Sequence, residues 1–477
     1  MRTMPQIAKY VLNLSIALFT LLGFSQKELK NKIVDFTTLA PIESASIYIQ
    51  NTTIGTVSNV DGKFALLVPK EFESDSLIIS SIGYKSFKTP IEEFDSSAEI
   101  YLEEDIAALD EILLIAESRP ETGNEIVLRA LEKLPNNMPE SPFMLKGFLR
   151  HKERNTKEFK WLIESAITVY DSSYPSYAEE NLKINVDEVR KSYDLRDVDS
   201  LLTYAAYLKN NSRKSNLGKR NLRRDTIATS TLVDAIKWND NRVNGLENLL
   251  KGKLNLLRNS GESKALFDES ILERHDFELD TVLVDDGRKI YKIHIKKGSD
   301  YINLDTPGIF NGGYVAEGWL YIYWDNFAVK KIEYNLVADS DAQKRRSKDL
   351  FGTQVNHKLI LTYIEFEDKM YPNYIYYETP KLVNVGLKPT DRATDDEEER
   401  FNREERYYYT VQEILFTDII FEEEVIDDAL NSPWDSDIFK IRPYHPKFWK
   451  NYNTLLESDE DEQLIQDLTK RSSLYKQ

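Results

Sequence analysis

The sequence predicts a mainly β protein with an α+β second part: an N-terminal antiparallel Greek-key sandwich followed by a large antiparallel sheet covered by helices. Three observations predict this. Seven short strand-like runs separated by turn residues fill residues 27–104, the pattern of a sandwich. Longer runs joined by tight polar turns fill residues 274–378, the pattern of one wide antiparallel sheet. Between them lie apolar residues at helical spacing, which supply a cover for a sheet that must bury one face.

The chain has 477 residues, enough for two or three domains, and its 41% hydrophobic and 30% charged residues are a globular composition. A net charge of −18 argues against nucleic acid or anionic lipid as the main partner, since both need clustered positive charge. Residues 1–25 read as a signal peptide. Arg2 and Lys9 precede the apolar run YVLNLSIALFTLLGF, too short for a comfortable membrane span, and Gly23 and Ser25 suit cleavage before Gln26. Cysteine is absent, which removes disulfides and thiolate chemistry. The expected location is the periplasm or the periplasmic face of the outer membrane.

Residues 27–104 form the predicted sandwich. Asp61-Gly62 suits a tight turn, and Phe64, Leu66 and Val68 then alternate with Lys63, Ala65 and Leu67 as in a half-buried strand. A calcium loop would need further oxygen ligands and a distal glutamate, which the stretch NTTIGTVSNVDGKFALLVP lacks. The series I-V-D, A-S-I-Y-I, T-I-G-T-V, D-G-K-F, L-I-I-S, I-G-Y and Y-L resembles the carboxypeptidase-regulatory-like domain. That resemblance implies a transthyretin-like β-sandwich of the kind placed at the start of outer-membrane transporters and envelope proteins. It covers about a sixth of the chain and implies no carboxypeptidase chemistry, which in that family belongs to a separate domain.

Residues 105–120 read as a linker. Within it, Leu109 to Leu114 (LDEILL) is similar to the segment that precedes the plug of such transporters. The following sequence lacks the strand pattern of a membrane barrel. Residues 121–430 are expected to form the α+β domain. ETGNEIVLRALEKLPNN has Ile126, Ala130, Leu131 and Leu134 at helical spacing and is expected to end at Pro135-Asn136-Asn137. SPFMLKGFLRHKER and FKWLIESAITVYD read as two strands, the first with Phe143, Leu145 and Phe148 inward. Residues 186–272 read as a helical insertion, with Leu246, Leu249, Leu250, Leu254 and Leu257 marking an apolar face. Inside it lies a basic stretch, Lys209, Arg213, Lys214, Lys219, Arg220, Arg223 and Arg224, a solvated loop or a surface for an acidic partner. It has no aromatic residue to stack a base.

The sheet is expected over residues 274–420. Asp285-Asp286-Gly287, Asp325-Asn326 and Asp368-Lys369 mark three hairpins. GWLYIYWDNFAVKKIEY is similar to half-barrel envelope proteins related to lipoprotein carriers, in which a curved sheet wraps around helices. That resemblance implies acyl chains on the concave side, with Trp319, Tyr321, Tyr323, Tyr363, Phe366, Tyr374 and Tyr376 as candidate lining. Core packing and cross-strand pairing are the alternative roles for these rings. TDDEEERFNREER, from residue 394, reads as an exposed acidic stretch. Residues 431–477 form a C-terminal extension with a closing helix, acids at its start and bases near its end.

One metal pattern occurs. His275 and Glu278 spell H-x-x-E, the start of a zinc-hydrolase set, but the surrounding alternation reads as a strand, which turns residues three apart to opposite faces. The expected function is therefore a non-catalytic exported envelope protein without cofactor, binding another envelope component or a lipid-like apolar ligand. The alternatives are an accessory subunit of an outer-membrane TonB-linked uptake system and a zinc-dependent hydrolase. Oligomeric state is open.

Overall fold

In the computed structural model the described residues are 26–105, 122–154, 159–174, 178–193, 233–234, 237, 245–252, 254–258, 271–298, 314–342, 344–345, 348, 356–384, 405–471 and 475. The signal segment, the Leu109 to Leu114 stretch, the basic residues from Lys209 to Arg224 and most of the acidic stretch lie outside them.

Seven strands build the sandwich: β1 (Lys27–Asp35), β2 (Ser46–Ile49), β3 (Gly55–Val57), β4 (Lys63–Val68), β5 (Ser76–Ser80), β6 (Phe87–Pro90) and β7 (Ile100–Leu102). They form two sheets, β4–β1–β7 and β3–β2–β5–β6. Strand β4 alternates as expected, with Phe64, Leu66 and Val68 buried. They meet Leu29, Ile33, Ile47, Ile79 and Leu102 in a core of their own. One pairing departs from an antiparallel sandwich: β7 lies parallel to β1, Ile33 opposite Ile100. Parallel neighbours need a long crossover, and here the rest of the sandwich is that crossover.

The second part is one ten-stranded sheet made from β8 (Phe143–Arg154), β9 (Phe159–Asp171), β10 (Leu182–Tyr193), β11 (His275–Asp285), β12 (Arg288–Gly298), β13 (Tyr314–Tyr323), β14 (Val329–Ala338), β15 (His357–Phe366), β16 (Lys369–Asn384) and β17 (Glu405–Ile420). The order is β10–β9–β8–β17–β16–β15–β14–β13–β12–β11, antiparallel throughout. It is wider than expected, because β17 pairs with β8 and carries the upstream strands into the same sheet. Leu182–Tyr193 is a strand, which corrects the helical reading of residues 186–193. A bulge between Val186 and Glu188 shifts the apolar positions to 184, 186 and 189, and this broken period 2 imitates helical spacing.

The register explains which face is buried. Leu279, Ile293, Leu320, Ile332, Leu361, Ile375, Ile414 and Leu149 lie opposite one another across eight strands. One position along, the row reads Glu278, His294, Trp319, Glu333, Ile360, Tyr376, Glu413, Arg150, Glu164 and Arg190. Alternation therefore gives one apolar face and one largely polar face.

Helix α1 (Gly123–Asn137) covers the apolar face with Ile126, Val127, Ala130 and Leu134. Its start is fixed by a capping box between Thr122 and Glu125, and it runs through Pro135 before ending. Helix α2 (Ala178–Asn181) and helix α3 (Leu246–Lys251) extend the cover, α3 burying Leu246, Leu249 and Leu250. Helix α4 (Ile271–Arg274) leads into β11.

The polar face is covered over half its width. Helix α5 (Glu423–Leu430) leaves the sheet, and the chain returns through helix α6 (Pro446–Lys450) to helix α7 (Asp459–Arg471). Phe148, expected to point inward, lies on this second face with Trp449, Leu455, Leu415 and Tyr374. An even-numbered residue on a strand that sends Phe143 and Leu145 inward must point outward. The sandwich docks on the same side, where the Thr53 hydroxyl donates to Asp418 at 2.8 Å and the Asn59 amide to the Glu457 carbonyl at 2.8 Å. It also meets the edge strand β11, where Gly83 N–H donates to the Val284 carbonyl at 2.7 Å.

Candidate functional site

Three places hold chemistry worth testing: a cavity under the apolar face, a buried charge network on the polar face, and an exposed apolar turn on the sandwich.

The cavity lies between β8, β9, β15 and β16 and the cover that includes α3, with Phe143, Leu145, Leu250, Leu257, Tyr363 and Ile375 in its wall. The cover is tied down at one end. Arg258 pairs with Asp171 and donates to the Ser173 carbonyl at 2.7 Å, and the Tyr174 hydroxyl donates to the Leu257 carbonyl. Burial outweighs the Arg258 charge and holds the Asp171 carboxyl above its ordinary range. The cavity measures about 50 Å³, the room of a water or two and far below the roughly 300 Å³ of a ligand pocket.

Of the seven candidate lining residues, Tyr363 alone faces this cavity. Trp319 packs on the His294 ring at a centroid distance of 4.6 Å, with Lys292 Nζ 3.9 Å from its centre. Tyr321 lies 5.4 Å beneath Lys331 Nζ, and the Tyr323 hydroxyl donates to Asp285 at 2.6 Å. Phe366 stacks on Phe421. The hydroxyls of Tyr374 and Tyr376 donate to Glu413 at 3.0 Å and Glu378 at 2.7 Å. Trp319, Tyr321 and Tyr323 share one face of β13, and Tyr374 and Tyr376 one face of β16. The row through Trp319 and Tyr376 is the polar one, on the other side of the sheet from Tyr363 and the cavity.

His275 and Glu278 part in the same way. His275 is buried, its Nε2 3.0 Å from the Tyr334 hydroxyl, and burial with the adjacent Arg274 pushes its pKa down to about 4. Glu278 is exposed and pairs with Lys296 at 3.2 Å. Among the described residues no three His, Asp or Glu side chains gather as metal ligands.

The charge network was not legible in sequence as a unit. Arg150, 2% exposed, meets Glu164 at 3.0 Å and Glu457 at 2.9 Å, and donates to the Leu455 carbonyl at 2.8 Å. Lys152 pairs with Asp461 and lies 3.5 Å from Glu413. Arg190 holds the other oxygen of Glu164 at 2.6 Å, which also accepts from the Tyr475 hydroxyl at 2.8 Å. Burial opposes charge on Arg150, yet Glu457, Glu164 and Glu413 overcome it and keep the guanidinium firmly protonated.

The exposed turn follows β1. Phe36 is 58% exposed, Leu39 63% and Tyr101, beside them on the edge strand β7, 47%. The Phe36 and Tyr101 rings meet edge to face at 6.4 Å. Leu39 has φ +59°, a left-handed conformation that costs an ordinary residue roughly 1 kcal/mol. Asp35 imposes it: its carboxylate accepts from Thr37 N–H at 2.9 Å, Thr38 N–H at 2.5 Å and the Thr38 hydroxyl at 2.8 Å. These bonds, the Thr38 N–H first, hold the Asp35 pKa below the usual carboxylate range. The result is a preformed turn with its apolar side chains in water.

Residues 29–114 match the CarboxypepD_reg-like domain family. Over 93 residues, 20% of this chain, the sequence is 30% identical to the TonB-dependent receptor SusC of Bacteroides thetaiotaomicron, and the match spans only 9% of that receptor's length. Among solved structures, the chain is similar to a LolA superfamily protein from Nitrosomonas europaea, with 9% identity, 64% of this chain and 95% of that one covered, and a TM-score of 0.22. Among the described residues no helix is long and apolar enough to cross a membrane.

Proposed function

We propose that this is a non-catalytic, exported cell-envelope protein, resident in the periplasm or on the periplasmic face of the outer membrane. In this reading its sandwich is an adaptor that presents a preformed apolar surface to another envelope component. The observation that carries it is the turn at Phe36 and Leu39. Large apolar side chains held in water by a strained, hydrogen-bonded backbone mark a surface made for contact rather than for the molecule's own core. The sandwich match to part of a TonB-dependent receptor supports the envelope setting and leaves the accessory-subunit alternative in place. The divergence of His275 and Glu278 counts against the hydrolase alternative. An apolar ligand is the weaker half of the reading, because a cavity of about 50 Å³ takes no acyl chain unless its cover moves.

The test is a photoactivatable phenylalanine analogue at Tyr101 in living cells. Irradiation is expected to trap one discrete envelope component, and Phe36→Asp is expected to reduce its yield about tenfold, the loss of one interface anchor. The same analogue at the exposed Lys88 is the control. A Tyr101 adduct pattern no different from that of Lys88 would overturn the reading.

A further inference from the structure

The C-terminal segment touches both halves of the molecule. On the sheet side it buries Trp449 and Leu455 beside Phe148, and Leu464 and Leu468 beside Phe159 and Leu162. On the sandwich side Asn453 accepts from Leu67 N–H at 2.7 Å, Asp61 accepts from Asp459 N–H at 2.8 Å, and Asp459 pairs with Lys63 at 2.5 Å. Glu457 stands at the junction. Its backbone carbonyl accepts from Asn59 of the sandwich, and its carboxylate reaches Arg150 of the sheet.

We propose that residues 446–471 are a proton-sensitive clamp, which holds the sandwich against the sheet when Glu457 is protonated and loosens when it is not. The geometry carries this. The Glu457 side chain is 15% exposed, and among the described residues its second oxygen, Oε2, has no hydrogen-bond partner. Facing it are Arg150 and Lys152 from β8, Glu164 from β9, Glu413 from β17, and Asp461 from its own segment, with Arg190, Arg154 and Tyr475 at the margins. Glu457 has only its Oε1 on a cation, Arg150, and three further carboxylates, Glu164, Glu413 and Asp461, share Arg150 and Lys152 with it. An ionised Glu457 therefore adds a fourth negative charge to a crowded cluster in a place poor in water.

Burial pushes the Glu457 carboxyl up, Arg150 and Lys152 pull it down, and Glu164 and Asp461 push it up again, leaving it at about 7. A carboxyl raised in the closed state contributes stability that is complete below its ordinary pKa near 4.5. That contribution is lost as pH rises through the raised value. Loosening is thus expected from mildly acidic to mildly alkaline pH, through the neutral range.

Hydrogen exchange of the full chain tests this, with each rate referred to the unprotected rate at the same pH. Between pH 5 and pH 8 the opening constant at Leu464 and Leu468 is expected to rise roughly tenfold or more. The Leu67 amide, held by Asn453, is expected to open with them. Glu457→Gln, which keeps the shape and removes the charge, is expected to abolish the rise. Glu460→Gln, at a carboxylate exposed to 60% in the same segment, is expected to leave it intact. The proposal is overturned by a wild type without the rise, by a Glu457→Gln protein that keeps it, by a Glu460→Gln protein that loses it, or by a Leu67 amide indifferent to it.

Discussion

Arg150→Ala is expected to destabilise the protein by about 3–5 kcal/mol, the loss seen when one partner of a buried ion pair is removed. Arg150 lies under the C-terminal segment and pairs with Glu164, buried to 1% exposure. Without it Glu164 keeps Arg190 and Tyr475. Glu457 loses its guanidinium partner, and the Leu455 carbonyl loses its donor. Denaturant unfolding reads the effect directly. Arg129→Ala removes an i,i+3 pair exposed above 50% on both sides, and is expected to cost less than about 1 kcal/mol. Equal losses in the two variants would mean that the network is solvated and the segment does not cover it.

Gly318→Val is expected to cost about 3 kcal/mol or more and to disorder the centre of the sheet. Gly318 has φ +148° inside β13, between Ile295 and Tyr334 of the flanking strands. A β-carbon there would stand 1.9 Å from the Glu333 carbonyl oxygen, well inside contact distance. The clash is with backbone in a paired ladder, so relief requires the strands to part. Gly287, in the β11–β12 turn, also has positive φ, but, its chain neighbours aside, none of the described residues lies within 4 Å of its added β-carbon. Gly287→Ala is expected to cost only about 1 kcal/mol, the conformational share alone. Thermal unfolding of the two variants separates a close approach from a turn preference, and a Gly318→Val protein as stable as Gly287→Ala would show that β13 does not sit in this register.

Local chemistry was legible, and long-range cover was not. Asp286 and Gly287 both take positive φ between paired Asp285 and Arg288, as do Glu367 and Asp368 between Phe366 and Lys369. Short turn-forming sequences announce such hairpins because the information lies in two residues. The pairing of β17 with β8 joins residues more than 250 positions apart, and no local pattern specifies it. The same limit hid the charge network. Arg150, Lys152 and Arg154 alternate along β8 as residues facing solvent do, and only the returning C-terminal segment turns that face into an interior. The aromatic residues misled for a related reason: a tyrosine marks a half-buried position equally well on either side of a sheet.

The central claim is that the sandwich is fixed on the polar side of the sheet rather than tethered beside it. The chain has no cysteine, so Thr53→Cys with Asp418→Cys introduces the only two thiols, at side chains 2.8 Å apart. Treated with a short bis-maleimide at low protein concentration, the double variant is predicted to cross-link within one chain almost completely, giving a single species of unchanged mass class and altered mobility after denaturation. Independent alkylation of both thiols, with no internal cross-link, would contradict the docked arrangement and the adaptor geometry built on it.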